Sequence, residues 1–199
     1  MKIINLVDRA VNPKEYSNES WPSLRGVVDD HLLIPGVAGV VGGSADYVIG
    51  TSVEVLSKRI GFEWIDKERE EWLLELTAKD WWGESISSPV FEELEYRLFW
   101  QTGLTLAAML VLNKFKADKK INLFNLGQVK LSMLVGLIAA SIIFAQAHYS
   151  DTAQNPYVLV FECFLAGLVY GGLYIRYGLV ACCVAHIVQN KWCDVFGNV

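Results

Sequence analysis

Glu92 and Glu93 stand side by side with Arg97 close behind them, where a polar region gives way to an apolar stretch, Leu98–Phe115. Ionised groups pushed towards hydrocarbon are costly unless they are paired or line a wet cavity, so their presence at this place asks for a function. With Ser88 as N-cap and Pro89 at the first position, a helix starting there makes Glu93 and Arg97 i, i+4 partners on one face. Glu92 is then rotated by about 100° from Glu93 and lacks that cation. One carboxylate is neutralised, and its neighbour is left to take a proton from water. The competing structural reading is that acids in a first turn suit the helix dipole and sit among headgroups.

Two further polar intrusions lie downstream. Phe144 and His148 close the apolar segment Val129–Ala147, and His186 with Asn190 lies inside the segment Gly178–Trp192, one helical turn apart on a single face. A histidine beside the free carboxylate can hold a water in line for attack. Histidine and asparagine donors can stabilise the oxyanion of a tetrahedral intermediate. Such chemistry needs no serine or cysteine nucleophile. A metal alternative would use Glu92, His148 and His186 as a two-histidine, one-carboxylate set around a bound water, although HExxH is absent and an Asn amide is a poor zinc ligand. Cys163, Cys182, Cys183 and Cys193 show no CxxC spacing and read as small packing residues rather than a disulfide or zinc framework.

The elements that must position these residues are helices in a bilayer. The chain has 53% hydrophobic residues, 20% charged residues and a mean hydropathy of +0.30, with most charges ahead of Arg97 and the apolar runs behind it. Leu98–Phe115, Val129–Ala147 and Tyr157–Ile175 are each about 18–19 residues, enough to span hydrocarbon at ~1.5 Å per residue. Leu32–Leu56 is apolar but interrupted by Pro35, five glycines and Asp46. It reads either as a Gly-rich membrane helix packing through Gly39 and Gly43, or as a pair of short or re-entrant elements. Ile65, Trp72, Leu73 and Leu76 share one helical face within residues 58–84, and with Trp81 and Trp82 they suggest a helix lying at the interface. Residues 1–30 show no sustained period, and Met1–Val7 lacks the composition of a secretory leader. Lys114, Lys116, Lys119 and Lys120 place the loop after Phe115 on the cytoplasmic side, with Arg176 in agreement and Lys58 and Arg59 against. A net charge of −5 without a basic stripe excludes nucleic acid as the expected partner.

EExxxR (Glu92, Glu93, Arg97), FxxxH (Phe144, His148) and HxxxN (His186, Asn190), in this order on successive apolar segments, resemble the motifs of the CPBP (Abi) family of membrane proteins. The glycines of Gly167–Gly172 ahead of the third motif strengthen the match, which covers roughly residues 88–192. That family includes the CaaX prenyl endopeptidases and proteins linked to bacteriocin processing or self-immunity. The resemblance implies that Glu92 is the catalytic glutamate, His148 its partner in activating water, and His186 with Asn190 the oxyanion donors, with Glu93 and Arg97 completing the first motif. Relatives usually carry more hydrophobic helices ahead of the first motif than the single candidate Leu32–Leu56.

The expectation is therefore an all-α, polytopic membrane bundle of about four to five transmembrane helices. Residues 1–87 would form an N-terminal region and residues 88–199 the catalytic core. The expected activity is a metal-independent, glutamate-type intramembrane endopeptidase that needs no cofactor and acts on a membrane-associated or lipidated peptide or protein. The alternatives are a non-proteolytic scaffold or self-immunity protein, and a metal-dependent membrane protease.

Overall fold

The computed structural model describes residues 32–61, 78–123, 127–149 and 155–196. The irregular N-terminal segment and the face built from Ile65, Trp72, Leu73 and Leu76 lie outside these residues.

Helix α1, Ile34–Arg59, is continuous, so the Gly-rich stretch is one helix rather than a pair of short elements. Pro35 lies at its first positions, where a proline's missing N–H costs no intrahelical bond. The glycines let it come close to its neighbours. A Cβ at Gly39 would lie 2.6 Å from the Ala181 carbonyl oxygen, and one at Gly43 would run into the Ala185 backbone. Because residue numbers rise together along this contact, α1 runs parallel to the last helix. Gly42 meets Leu173 and Asp46 meets Tyr170, so α1 runs antiparallel to the helix that precedes it.

Helix α2, Ala78–Glu93, leads without a break through a π-helical segment, Leu94–Gln101, into α3, Thr102–Lys114. Glu93, Gln101 and Thr102 all keep right-handed helical backbone angles. This corrects the expected start at Ser88. Pro89 lies inside α2, where its fully buried ring is held by packing across the hydrogen bond it cannot donate. The wide turn follows from which residues must face inward. Tyr96, Arg97 and Gln101 are buried within the segment and Thr102 directly after it. In a regular α-helix Tyr96 and Gln101 would point about 140° apart, whereas the wider turn of a π-helix brings them towards one face. Both the backbone N–H and the hydroxyl of Thr102 donate to the Arg97 carbonyl, the latter at 3.0 Å.

A short antiparallel hairpin, β1 (Lys120–Leu123) and β2 (Gly127–Lys130), follows, with Ile121 opposite Val129. It shortens the expected Val129–Ala147 span to helix α4, Leu131–Ala147, of 17 residues. Asp118 sets that boundary. Its carboxylate accepts from the Ser132 N–H at 2.9 Å and from the Ser132 hydroxyl at 3.0 Å, while the Lys119 carbonyl accepts from Leu131 N–H at 3.0 Å. Helix α5, Pro156–Tyr177, and helix α6, Leu179–Phe196, are joined by Gly178, whose φ of 90° favours glycine.

Among the described residues, α5 is long and apolar enough to cross a membrane by length and composition, and α4 is a shorter apolar helix. Large apolar side chains face outward while several polar ones are buried. On α4, Val135, Ile138 and Ile142 are exposed, whereas Ser132, Gly136, Ala140, Ser141 and Phe144 are buried. Gly136 lies against Thr105 of α3, and Gly167 of α5 against Ser141. The protein is thus an all-α bundle, with one small hairpin among the described residues and a set of polar side chains buried inside.

Close approach at Gly43 should be intolerant of one carbon. Gly43→Ala is expected to destabilise the detergent-solubilised protein by about 1–3 kcal/mol. Gly50→Ala, where a Cβ meets nothing within 4 Å, should be neutral or stabilising by up to ~1 kcal/mol. Thermal unfolding of the two variants beside the wild type checks this.

Candidate active site

Glu93, on the last turn of α2, has no exposed side-chain surface and accepts two hydrogen bonds. Arg97 Nε reaches its Oε2 at 2.8 Å, and His186 Nδ1 of α6 lies 3.0 Å from its Oε1. The i, i+4 pairing expected from the spacing spans the start of the wide turn. Arg97 also lies 5.3 Å from the centre of the Phe144 ring, and its Nη1 and Nη2 have no hydrogen-bond partner among the described residues.

Glu92 faces the other way. Its Oε1 accepts from the Ser88 hydroxyl at 2.9 Å, so Ser88 orients this carboxylate rather than capping a helix. Its Oε2 lies 3.5 Å from His148 Nε2 and 3.9 Å from His186 Nε2. The Glu92 and His148 side chains keep 28% and 31% exposure, against 0% for Glu93, so the cluster opens on the Glu92 side.

The second nitrogen of each imidazole fixes its tautomer. His148 Nδ1 is 2.8 Å from the Phe144 carbonyl, an acceptor, so that nitrogen carries a proton. His186 Nδ1 is bound to the Glu93 carboxylate, also an acceptor when ionised. In the neutral rings both Nε2 lone pairs then face the same Glu92 oxygen. Three acceptors meet there without a proton among them, which is stable when a proton donor such as water sits between them or when a ring takes a second proton. Aromatic rings hold the geometry. Phe144 lies 4.4 Å from His148 and 5.0 Å edge-on to Tyr96, and Tyr170 stacks on His186 at 4.9 Å and 24°.

Glu92, Glu93, Arg97, His148 and His186 therefore come together from α2, the π segment, α4 and α6. Asn190 stands one turn beyond His186 on α6, half-buried, and no hydrogen bond joins it to the cluster among the described residues. Among those residues, no group of three or more His, Cys, Asp or Glu side chains is arranged to hold a metal ion. Sequence reasoning did not single out Tyr170, and it met Asp46 only as an interruption. The signal available was a carboxylate within an apolar, glycine-rich helix.

An all-helical bundle whose interior gathers two carboxylates, two imidazoles and a guanidinium is a membrane-protein fold organised around a polar site. The family model of the type II CAAX prenyl endopeptidases, Rce1-like, matches residues 76–192, more than half of the chain, and the chain belongs to that family. At the level of the family it is a CAAX-type intramembrane endopeptidase, integral to the membrane and acting on membrane-associated protein substrates. The resemblance drawn from the three motifs is borne out. Neither a curated protein nor a solved structure matches the chain significantly.

Because Arg97 and Glu93 are both fully buried, breaking the pair strands a charge. Glu93→Gln should cost about 3–5 kcal/mol of stability. Combining it with Arg97→Met should recover part of that loss, as a double-mutant cycle of unfolding in detergent would record.

Proposed function

We propose that Glu92 and His148 activate the water that hydrolyses a peptide bond of a membrane-associated or lipidated protein. The carrying observation is that both imidazoles turn Nε2 to one Glu92 oxygen while each Nδ1 is committed elsewhere. A water held between Glu92 and His148 gives its proton to Glu92 as its oxygen attacks the scissile carbonyl. Glu92 then returns that proton to the leaving amine, so no net proton is gained or lost by the enzyme. The tetrahedral oxyanion is met by His186 and Asn190. Since Nδ1–H of His186 is bound to Glu93, its Nε2 donates when the ring enters the cycle as imidazolium, the second proton coming from solvent before substrate binds and staying on the ring throughout, with the Glu93 carboxylate as countercharge. Each such donor is worth about 2.7–4 kcal/mol in the transition state.

Residues 88–199 form the catalytic core in this reading. Residues 1–87 form an N-terminal region whose helix α1 packs on it in the bilayer. The exposed apolar side chains of α1, α3 and α4 support a multi-pass arrangement, because bulky groups such as Val37, Val41, Leu110, Val111 and Ile138 need lipid around them. The lysine-rich hairpin end faces the cytoplasm.

One observation favours a second reading. Imidazoles that donate Nδ1–H to a carboxylate and a carbonyl while turning Nε2 inward are also how metal ligands are oriented. Chelation separates the two. With a prenylated CaaX peptide as substrate, EDTA followed by a stronger zinc chelator should leave turnover within about twofold, ~0.4 kcal/mol in barrier. Loss of activity on chelation, restored by stoichiometric zinc, would establish the metal reading.

Glu92→Gln should abolish cleavage while the unfolding midpoint stays close to wild type, because the group lost is a base rather than a packing element. Equal turnover in Glu92→Gln and wild type would instead remove Glu92 as the base, and no turnover above background in the wild type would mark a scaffold or self-immunity protein. Asn190→Ala should lower kcat by about two orders of magnitude with little change in KM, since an oxyanion donor acts mainly in the transition state.

A further inference from the structure

Among the described residues, three Asp, Glu, Lys or Arg side chains are buried: Glu93 and Arg97 pair with each other, and the third, Asp46, lies on a different helix. Asp46 sits within α1, 5% exposed, where an unpaired carboxylate would be costly. It accepts a hydrogen bond from the Tyr170 hydroxyl at 2.7 Å. The Tyr170 ring, 1% exposed, stacks on the imidazole of His186 at 4.9 Å and an interplanar angle of 24°. His186 is thus gripped from three directions: Glu93 holds Nδ1, Phe144 stands edge-on at 6.1 Å, and Tyr170 covers a face. The phenol ring is itself fixed at both ends, at Cα by α5 and at its hydroxyl by α1. Helix α1 in turn is locked against α6 through Gly39 and Gly43. Asp46 lies outside residues 76–192, the part of the chain that the family model matches.

We infer that Asp46 is a positioning residue, which through the Tyr170 hydroxyl holds the phenol ring against His186 and so aims His186 Nε2 at the site of reaction. This rests on the reading of His186 as a donor in the proposed mechanism. It gives α1 a part in catalysis in addition to its place in the fold. A one-ångström error in the placement of a reacting group can cost about a hundredfold in rate, so a hydrogen bond that fixes the ring on which His186 rests has kinetic weight.

The test uses the full chain in detergent with a prenylated CaaX peptide. Tyr170→Phe keeps the ring and deletes the hydroxyl, and Asp46→Ala deletes the acceptor. Each should lower kcat by about tenfold or more, with KM within about twofold. Asp46→Asn keeps an acceptor oxygen and should restore kcat to within about threefold of wild type. The double variant Asp46→Ala/Tyr170→Phe should be no slower than its slower parent, because both remove one bond. Tyr174→Phe is the structural control. It deletes a comparable buried hydrogen bond, 2.9 Å to Thr102, one turn along α5, and should lower stability while leaving kcat unchanged.

Wild-type kcat in Tyr170→Phe, Asp46→Asn as slow as Asp46→Ala, or an equal loss of kcat in Tyr174→Phe would overturn the inference. If Asp46→Ala does not fold, Tyr170→Phe and Asp46→Asn still decide it. His186→Ala distinguishes the two levels of the argument. Wild-type turnover in that variant sinks the role given to His186, whereas an inactive His186→Ala beside a wild-type Tyr170→Phe sinks the role of Asp46 alone.

Discussion

The Glu93–Arg97 pair is the constraint around which the bundle is built. Two fully buried ionised groups are tolerated in an apolar bundle when their charges cancel. Several neighbouring side chains add to that pairing. His186 takes the second oxygen of Glu93, the Phe144 ring lies under the guanidinium, and Thr102 occupies the Arg97 carbonyl. His186 is thereby fixed before any substrate arrives. The same constraint leaves Glu92 without that cation, because Arg97 is already taken by its neighbour.

Small residues make that arrangement reachable. The polar atoms of α3, α4 and α5 meet because Gly136, Gly167 and Gly171 allow backbones to touch. A Cβ at Gly171 would displace Gln101, whose amide nitrogen donates to the Gly171 carbonyl at 3.1 Å. In lipid, where apolar side chains gain little by leaving the solvent, such close contact and interhelical hydrogen bonding supply much of the association. The exposed valines and isoleucines outside and the serines, threonines and glutamine inside are one consequence of that balance.

What could be read from residues alone was local. The Glu93–Arg97 pair is an i, i+4 relation, and the α5 span is a simple apolar run, so both were legible without knowledge of the fold. The family was legible because three weak motifs fell in a fixed order on successive apolar segments. The start of α2 was not, because Ser88–Pro89 carries a helix-start signature that tertiary burial of the Pro89 ring overrides. The hairpin was hidden for a similar reason. Val129 is as suitable for a strand end as for a helix start, and the cap that decides between them comes from Asp118. The Asp46–Tyr170 bond joins residues 124 positions apart, beyond any periodicity a sequence can display.

Adjacent carboxylates with different duties place a demand on backbone geometry that a regular helix meets poorly. Glu93 must turn inward to Arg97 and His186, and Glu92 towards His148 and the open side, while Tyr96, Arg97, Gln101 and Thr102 must all stay buried below them. Residues spaced by five do not share a face at 3.6 residues per turn. The π segment directly after Glu93 eases the conflict by bringing residues spaced by five, such as Tyr96 and Gln101, towards one face, so one rod can carry the charged motif, its aromatic floor and the polar contacts to α5. Such wide turns recur at functional sites because they cost regular hydrogen bonding and persist where a set of side chains needs them. Here the need is specific: with regular α geometry from Leu94 to Gln101, Tyr96 and Gln101 would point about 140° apart, and one of the two would leave the interior.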